Sequence, residues 1–408
     1  FGGLLLLGGR LADRYGHRRL FLIGTVGFVG ASALAGLAVG GEMLLAARAL
    51  QGASAALLAP AALALLTQLF PEPGERTKAL GIWGSVAGIG AVAGVLLGGV
   101  LTASLGWRAV FFVNVPIGVL VLVFIPMLIT RDPATARTRL DFAGAATITG
   151  ALVSAVFALS MAQQVGFVHP LTLGLRAAAV ALGAAFVAIE RRATAPLVPL
   201  AIFRNRNLAT GNVIVLLVGA AMVGLFFAIS VYTQSVLGYD ALQAGLSQLP
   251  LAGVLVLVAG SAPAIIARLG EKRTLVVSLL VLAAGLVWLS AAPSDAVYLV
   301  HLLGPGLLIG AGIGGALVTA TQLSVEGVVG GEAGLAGGLV HTSLQIGGAL
   351  GLAVLASIAT ARTGDLAKAG TALPDALTGG FSRLFLGAAA FVAIAAVVAG
   401  FARRPAAR

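Results

Sequence analysis

An arginine inside an apolar stretch is the first side chain in this sequence that could do chemistry. Arg48 lies in the first third of the apolar run 43–69 and is followed by Gln51 and Gly52. A charged side chain within a membrane span is costly and faces protein or water rather than lipid. Gly52, one helical turn further on, shares the helix face of Arg48 and leaves room for its side chain. The alternative is an arginine whose side chain extends to the outer membrane surface.

A histidine near the start of the apolar run 335–359, His341, is the second such group. Its imidazole titrates near neutral pH and could relay protons, or it could be a hydrogen-bonded packing residue. Other polar and aromatic side chains in or near apolar runs could line a substrate cavity, or could contact neighbouring helices and lipid. These candidate lining residues are Asn114, Phe226, Phe227, Tyr232, Gln234, Gln248, Gln322 and Gln345.

A short charged stretch, Gly8–Arg19, separates two apolar runs near the start of the chain. It holds four arginines, and such side chains cannot lie in a bilayer core without a large penalty. We therefore predict a tight hairpin on the cytoplasmic side, where membrane proteins concentrate positive charge. Asp13, its only acid, could pair with an arginine or cap a helix N-terminus. A positively charged anchor with no mechanical role is the alternative.

A run of glycines marks the apolar stretch 79–103. Gly90, Gly94 and Gly98 recur every four residues, with Gly81 before them and Gly99 after them. Such a stripe of small residues lets another helix pack closely, so the spacing alone favours a helix-packing and bending element.

The composition shows what must position these groups. The chain has 408 residues, of which 59% are hydrophobic and only 10% charged, whereas a soluble domain carries about 25% charged residues. We therefore predict an all-α integral membrane protein. The absence of cysteine excludes disulfides and thiolate metal sites. No metal-ligand spacing, phosphate loop or nucleophile constellation occurs in the sequence, which disfavours a membrane enzyme and predicts no cofactor and no metal.

Apolar runs bounded by charge or turn residues predict twelve full spans. They lie near 20–39, 43–69, 79–103, 109–129, 142–163, 171–189, 208–231, 243–267, 274–291, 297–321, 335–359 and 381–401. A partial run precedes them. It is shorter than the roughly 20 residues that a span needs, so we expect the chain to begin partway through a span.

The distribution of charge supports this layout. If loops alternate sides from the first hairpin, nineteen of the 25 basic residues lie on the cytoplasmic side and four lie opposite. This asymmetry is the one that the positive-inside rule requires. It also accounts for the net charge of +11 without any nucleic-acid partner. All fourteen acids lie in loops or at span ends, so no carboxylate sits in mid-membrane.

Two polar stretches, 131–141 and 190–207, predict domain joints. We predict an N-terminal bundle at 1–130, a central pair of extra spans at 131–206 and a C-terminal bundle at 207–408. The apolar middle of the second stretch, 196–203, could lie at the membrane surface or serve as a linker.

A second basic turn resembles the first hairpin in character. Ala267–Thr274 again joins two spans through a basic, glycine-bearing turn, which suggests two parallel repeats.

Several motifs resemble those of the major facilitator superfamily. The pattern Gly-x-Leu-Ala-Asp-Arg-x-Gly-x-Arg-Arg at Gly9–Arg19 is similar to the signature loop between the second and third spans of that family. Arg48-x-x-Gln51-Gly52 resembles its fourth-span motif, whose arginine is linked to proton transfer. The spacing of Gly81, Gly90, Gly94, Gly98 and Gly99 resembles the antiporter motif of drug/proton exporters, with Val95 in place of the proline of that family.

Other stretches narrow the resemblance to the fourteen-span drug/proton antiporter branch. They are Gly106–Gly118, Tyr232-x-Gln234, Gly238-Tyr239 and Gln243–Gly245. The central pair of extra spans also fits that branch. On this alignment we expect the first family span, most of the second, and the coupling carboxylate of the first to be missing.

The resemblance implies a fold, a function and a location. The fold is two six-helix bundles, the first incomplete, with two extra central spans, in the bacterial cytoplasmic membrane. The function is proton-coupled export of small apolar compounds by a monomer through alternating access. It implies a cytoplasmic latch of Gly9, Asp13, Arg14, Gly16, Arg18 and Arg19. Proton coupling is expected to involve Arg48, Gln51, Gly52 and His341.

Two other functions stay open at this point. A uniporter or importer of a metabolite is compatible with Val95, which departs from the exporter motif. A non-transporting sensor or inactive remnant is compatible with the incomplete first span.

Overall fold

The computed structural model describes residues 1–70, 72, 75, 79, 90, 93–94, 96–129, 141–166, 168–194, 196–325 and 333–402. These residues fold into α-helices joined by short turns. The helices are α1 Leu5–Tyr15, α2 His17–Gly36, α3 Gly41–Leu69, α4 Leu96–Leu105, α5 Ala109–Phe112, α6 Asn114–Leu128, α7 Phe142–Val165, α8 Pro170–Arg192, α9 Arg206–Ser235, α10 Ala241–Leu269, α11 Glu271–Leu289, α12 Gly304–Val325, α13 Ala333–Lys368 and α14 Leu373–Gly400. A π-helical turn, Tyr298–Leu303, precedes α12.

Eleven spans are long and apolar enough to cross a membrane within the described ranges, and they match eleven of the twelve predicted ones. The remaining prediction, 79–103, lies mostly outside the described residues, and α4 is found at its end. Helices dominate because lipid offers no partner for main-chain N–H and C=O groups, which a helix satisfies internally.

The contacts divide the chain into two units. The first comprises residues 1–149 and 184–199, and the second comprises residues 150–183 and 200–408. In the first unit, α2 packs against α3 and α6, and α1 packs against α3. In the second unit, α9 packs against α12, α13 and α14, while α11 packs against α12 and α14. The three-part division predicted from sequence stays a prediction.

The core of the second unit follows from the spacing of leucines on α11. Leu275, Leu279, Leu282 and Leu286 recur every three or four residues, which places them on one helix face. Each is at most 1% exposed. They belong to one buried cluster with side chains of α12 and α14. The apolar face of α11 therefore joins these three helices.

The crossing of α9 and α13 depends on glycines, because the two main chains approach closely there. A Cβ atom added at Gly347 would lie 2.0 Å from the carbonyl oxygen of Leu216. One added at Gly351 would lie 2.3 Å from the Cα atom of Ala220. No side chain fits at either position without moving a helix. The absence of a side chain thus sets the distance between α9 and α13.

We predict that Gly347→Ala separates α9 from α13 and destabilises the protein by about 1–3 kcal/mol, the usual cost of overpacking. The midpoint of thermal unfolding in detergent measures this effect. The matched control is Gly337→Ala on the same helix, where an added Cβ meets nothing within 4 Å among the described atoms. Equal midpoints for the two variants would contradict the close crossing.

Candidate functional site

The first hairpin turns at a single residue. Helix α1 ends at Tyr15 and α2 begins at His17, with Gly16 between them at φ 95° and ψ 134°. This left-handed backbone region strongly favours glycine. The predicted loop at Gly8–Arg19 is therefore wrong in extent, because residues 8–15 continue α1 and residues 17–19 open α2. Before Gly16, the charged stretch contains no helix breaker except glycines, and the helix tolerates these.

Asp13 has a partner that the sequence did not suggest. Its Oδ1 lies 3.8 Å from Nε2 of His17, one helical turn further on, and this contact is ionic when His17 is protonated. The Asp13 side chain is 54% exposed, whereas that of His17 is 9% exposed. The predicted role of Asp13 as a helix cap is wrong, because Gly16 occupies the N-cap of α2 and no side chain caps it.

The arginines of the hairpin have different surroundings. Nη2 of Arg18 donates a hydrogen bond of 3.0 Å to the carbonyl oxygen of Pro126, near the end of α6. The guanidinium of Arg14 lies 5.4 Å from the ring centre of Tyr15, and Arg19 is exposed. A cation at the carboxyl end of a helix is favourable because the last carbonyls lack helical partners. Arg18 therefore ties the start of α2 to the end of α6.

The second basic turn reproduces this geometry in the other unit. Helix α10 ends at Leu269 and α11 begins at Glu271, with Gly270 between them at φ 80° and ψ 153°. Nζ of Lys272 donates to the carbonyl oxygens of Gly400, at 2.6 Å, and Ala402, at 3.3 Å. Arg18 and Lys272 are each the second residue after their glycine, and each binds the end of a later helix. This agreement supports the predicted pair of repeats.

We predict that Lys272→Gln frees the carboxyl end of α14 and speeds amide hydrogen exchange at Phe401 and Ala402. Removing a charge-assisted hydrogen bond corresponds to roughly a tenfold faster exchange. Mass spectrometry of the exchanged protein measures the rate. Arg273→Gln is the control, since this neighbouring side chain is exposed. Unchanged exchange in the Lys272 variant would contradict the proposed tie.

Arg48 is oriented by a buried polar chain. Its Nη1 donates a hydrogen bond of 2.6 Å to Oε1 of Gln51, and Nε2 of Gln51 donates one of 2.6 Å to Oγ of Ser32 on α2. Gln51 and Ser32 are buried, while Arg48 is exposed and its guanidinium lies 6.0 Å from the ring of Phe111. Because the amide is fixed on both sides, the charge of Arg48 has a defined position from which it could bind an acid.

Two further residues of this site are Gly52 and Ser32. Gly52 is half-buried, and an added Cβ would lie 3.2 Å from the main-chain nitrogen of Phe1. Ser32 was missed by the sequence analysis because its role depends on the contact between α2 and α3. Its hydroxyl group within the apolar run 20–39 is the sequence signal that could have found it.

His341 lies on α13 in the second unit and is exposed there. The next two residues are polar as well. Ser343 donates a hydrogen bond of 2.9 Å to Oδ1 of Asn212 on α9. Oγ1 of Thr342 is buried without a hydrogen-bond partner among the described residues. This turn of α13 is therefore polar.

The predicted lining residues separate into two groups. Tyr232 and Gln248 come together in a small, largely apolar cavity of the second unit, together with Tyr298. The hydroxyl groups of both tyrosines donate to main-chain carbonyls, Tyr232 to Pro293 and Tyr298 to Ser247.

The other predicted lining residues lie elsewhere. Asn114 opens α6 in the first unit and is half-buried, as is Gln345 on α13. Phe226 packs against the core of the second unit. The exposed members of the set are Phe227, Gln234 and Gln322.

The predicted glycine motif is described only in part. Gly81 lies outside the described residues. Gly90, Gly94 and Gly98 are helical, and a Cβ added at each meets no described atom within 4 Å. Gly99 is buried. The role of these glycines in transport stays a prediction.

Known proteins resemble this chain in sequence. The family model of the Major Facilitator Superfamily matches residues 1–352 of the chain. The puromycin resistance protein of Streptomyces alboniger is 42% identical over 368 residues, covering 89% of this chain and 73% of that protein. The cephamycin export protein of Amycolatopsis lactamdurans is 40% identical over 408 residues, covering 98% of this chain and 81% of that protein.

Solved structures agree on the fold. An auto-inhibited peptide transporter of the POT family aligns with a TM-score of 0.67 at 18% identity, covering all of this chain and 87% of that one. The nucleoside transporter NupG aligns with a TM-score of 0.64 at 12% identity, covering 97% and 86%.

The chain belongs to the major facilitator superfamily. It is an all-α integral protein of the bacterial cytoplasmic membrane that transports small molecules, and it is a transporter rather than an enzyme. The predicted family, fold class and membrane location are confirmed.

Proposed function

We propose that this transporter exports small apolar or amphipathic compounds, of the antibiotic type, in exchange for protons. Support comes from its relatives, which are named for puromycin resistance, for tetracenomycin C resistance and export, and for cephamycin export. The observation that carries the proton-coupled part is the fixed cation in α3, Arg48, held by the Gln51–Ser32 chain.

The role of Arg48 in coupling follows from electrostatics. A cation held at a fixed position attracts an ionised carboxylate nearby and favours its deprotonated form. When the carboxylate takes up a proton, that attraction is lost and the two groups separate. Proton binding thereby changes the balance between conformations that expose the substrate site to opposite sides. Gln51 serves this step by orienting Arg48. Gly52 on the same helix leaves room for Phe1 to approach α3.

The hairpin supplies the conformational latch in this proposal. Asp13 is exposed next to the turn, and Arg14, Arg18 and Arg19 follow it within six residues. An exposed acid beside several cations can exchange ion-pair partners at low cost, since each surface pair is weak. Gly16 forms the turn, whereas Gly9 lies within α1, where an added Cβ would lie 3.7 Å from the Cβ atom of Pro60, an ordinary contact. The latch holds one conformation until substrate or proton binding favours the other.

Substrate recognition is assigned to the polar and aromatic side chains of the second unit. Tyr232 and Gln248 line its small cavity, and Gln345 lies on the same helix as His341. Apolar walls with a few fixed polar groups suit amphipathic compounds, because the walls bury the apolar surface of the compound and the polar groups orient the compound. His341 on α13 is a candidate proton relay. We expect the protein to act as a monomer.

A uniporter or importer is the competing proposal. Proton flux in vesicles that contain the reconstituted full chain distinguishes them when puromycin or lincomycin is added. An exchanger moves protons against the direction of the drug, whereas a uniporter moves none and a proton-coupled importer moves them in the same direction. Substrate movement without proton flux would favour the uniporter.

We predict that Arg48→Ala lowers substrate accumulation driven by a pH gradient by about tenfold or more, because the charge that couples transport to protons is removed. Substrate counterflow without a gradient should persist. Both rates are measured in vesicles that contain the full chain. Arg383→Ala, which removes another exposed arginine of a membrane helix, is the control. If the Arg48 variant accumulates substrate at the wild-type level under a pH gradient, Arg48 has a packing role instead.

We predict that Asp13→Asn lowers transport about tenfold while membrane insertion stays normal, since one charge-assisted contact corresponds to a factor of that size. Export of puromycin from cells, divided by the amount of protein in the membrane, measures the effect. Glu42→Gln is the control because Glu42 is an exposed acid in the first turn of α3. Wild-type export by the Asp13 variant would refute the latch.

A further inference from the structure

The segment that follows α8 is held from two sides by charged side chains. Nη2 of Arg10, on the hairpin helix α1, donates a hydrogen bond of 2.7 Å to the carbonyl oxygen of Pro196. The carboxylate of Glu190, in the last turn of α8, accepts hydrogen bonds from the main-chain N–H of Leu197, at 3.3 Å, and of Val198, at 3.1 Å. We call Arg10, Glu190 and residues 196–198 the linker clamp.

The Glu190 side of the linker clamp is buried, whereas Arg10 and Pro196 are half-buried. Glu190 is 4% exposed, Leu197 is 2% exposed and Val198 is 4% exposed. A hydrogen bond to an ionised group is stronger than one between neutral groups, and it strengthens as water is excluded. The apolar side chains of the segment are packed within the first unit, so 196–198 is not a loose connection.

The start of α7 also lies at the linker clamp. Oδ1 of Asp141 accepts a hydrogen bond of 2.7 Å from the N–H of Gly144 and so caps α7. A Cβ added at Gly144 would lie 2.7 Å from Oδ2 of Asp141 and 3.0 Å from Oε1 of Glu190, so both carboxylates border this glycine. The clamp therefore collects the hairpin helix and the ends of the two extra spans.

The position of the clamp along the chain gives it a consequence for movement. The chain passes from the first unit to the second at 149/150 inside α7, returns at 183/184 inside α8, and passes again at Pro199–Leu200, directly after the clamped residues. On the other side, the side chain of Asn205 accepts hydrogen bonds from the main-chain N–H groups of Asn207 and Leu208 and fixes the start of α9. The chain between the two fixed points is residues 199–204, of which Leu200–Arg204 form a 3₁₀-helix.

We propose that Glu190 and Arg10 are positioning residues that anchor the linker to the hairpin helix and so confine bending of this connection to residues 199–204. The proposal rests on the proposed function in so far as alternating access moves helical bodies against each other. With the clamp closed, movement at this connection is taken up by six residues. With the clamp open, the segment that can bend extends back to Arg192, the last residue of α8.

The clamp is tested first by chemical protection, because the sequence contains no cysteine that would interfere. Val198→Cys is introduced into the full chain, and its labelling by a hydrophilic maleimide from the cytoplasmic side is timed. We expect slow labelling, which Glu190→Gln accelerates by roughly tenfold, since one charged hydrogen bond shifts an opening equilibrium by about that factor. Arg191→Gln, which changes the adjacent exposed residue, should leave the labelling rate unchanged.

The second arm of the clamp has its own pair of variants. Arg10→Lys keeps a cationic donor for the Pro196 carbonyl and should retain protection of the cysteine at 198. Arg10→Ala removes the donor and should lose protection. Equal labelling of the wild-type background, Glu190→Gln and Arg10→Ala would overturn the clamp.

The hinge role is tested by substrate counterflow with a panel of puromycin, lincomycin and ethidium. Glu190→Gln should lower the maximal rate several-fold while the half-saturating concentration stays the same, because the linker does not touch substrate. A merely structural defect would instead lower the amount of folded protein at constant turnover. Faster labelling of the cysteine at 198 together with an unchanged maximal rate of counterflow would overturn the hinge role. Counterflow needs no proton gradient, so a failure of proton coupling is recognised separately.

Discussion

Cations in this protein outnumber acids, and main-chain carbonyl oxygens take the place of the missing carboxylates. The sequence has 25 basic and fourteen acidic residues. Arg10, Arg18, Arg108 and Lys272 each bind a carbonyl near the end of a helix or in a linker. Membrane helices create this need, because their last carbonyls have no helical partner. Positive charge gathered at helix ends therefore orients the chain in the membrane and also ties helices together.

The same constraint explains why the two glycine turns match. A single glycine at positive φ reverses the chain between two spans, and the residue two positions later is cationic. Its side chain then reaches the carboxyl end of a later helix in the same unit, α6 in one case and α14 in the other. A turn this short keeps the ends of the two spans together, and the cation binds that end to a third helix.

Hydropathy and charge predicted the helices and the membrane location, because both depend on properties that each segment carries by itself. The extent of the first hairpin was predicted incorrectly, since residues 8–15 have no reason to leave the helix before Gly16. Contacts between distant segments could not be predicted. Gln51 meets Ser32, and Arg10 meets Pro196, only because helices pack side by side. Glu190 looked like a helix-end charge in the sequence, and only its burial shows that it binds the linker.

The central claim is that both glycine turns lie on the cytoplasmic side as equivalent parts of two repeats. Single cysteines at His17 and Glu271, the residues that follow Gly16 and Gly270, test this directly in intact cells. The account predicts that a membrane-impermeant maleimide labels neither cysteine until the membrane is permeabilised, and that it then labels the one at 271. His17 is buried, so its cysteine is expected to react more slowly. Labelling of one position in intact cells and of the other only after permeabilisation would contradict the topology and the transporter built on it.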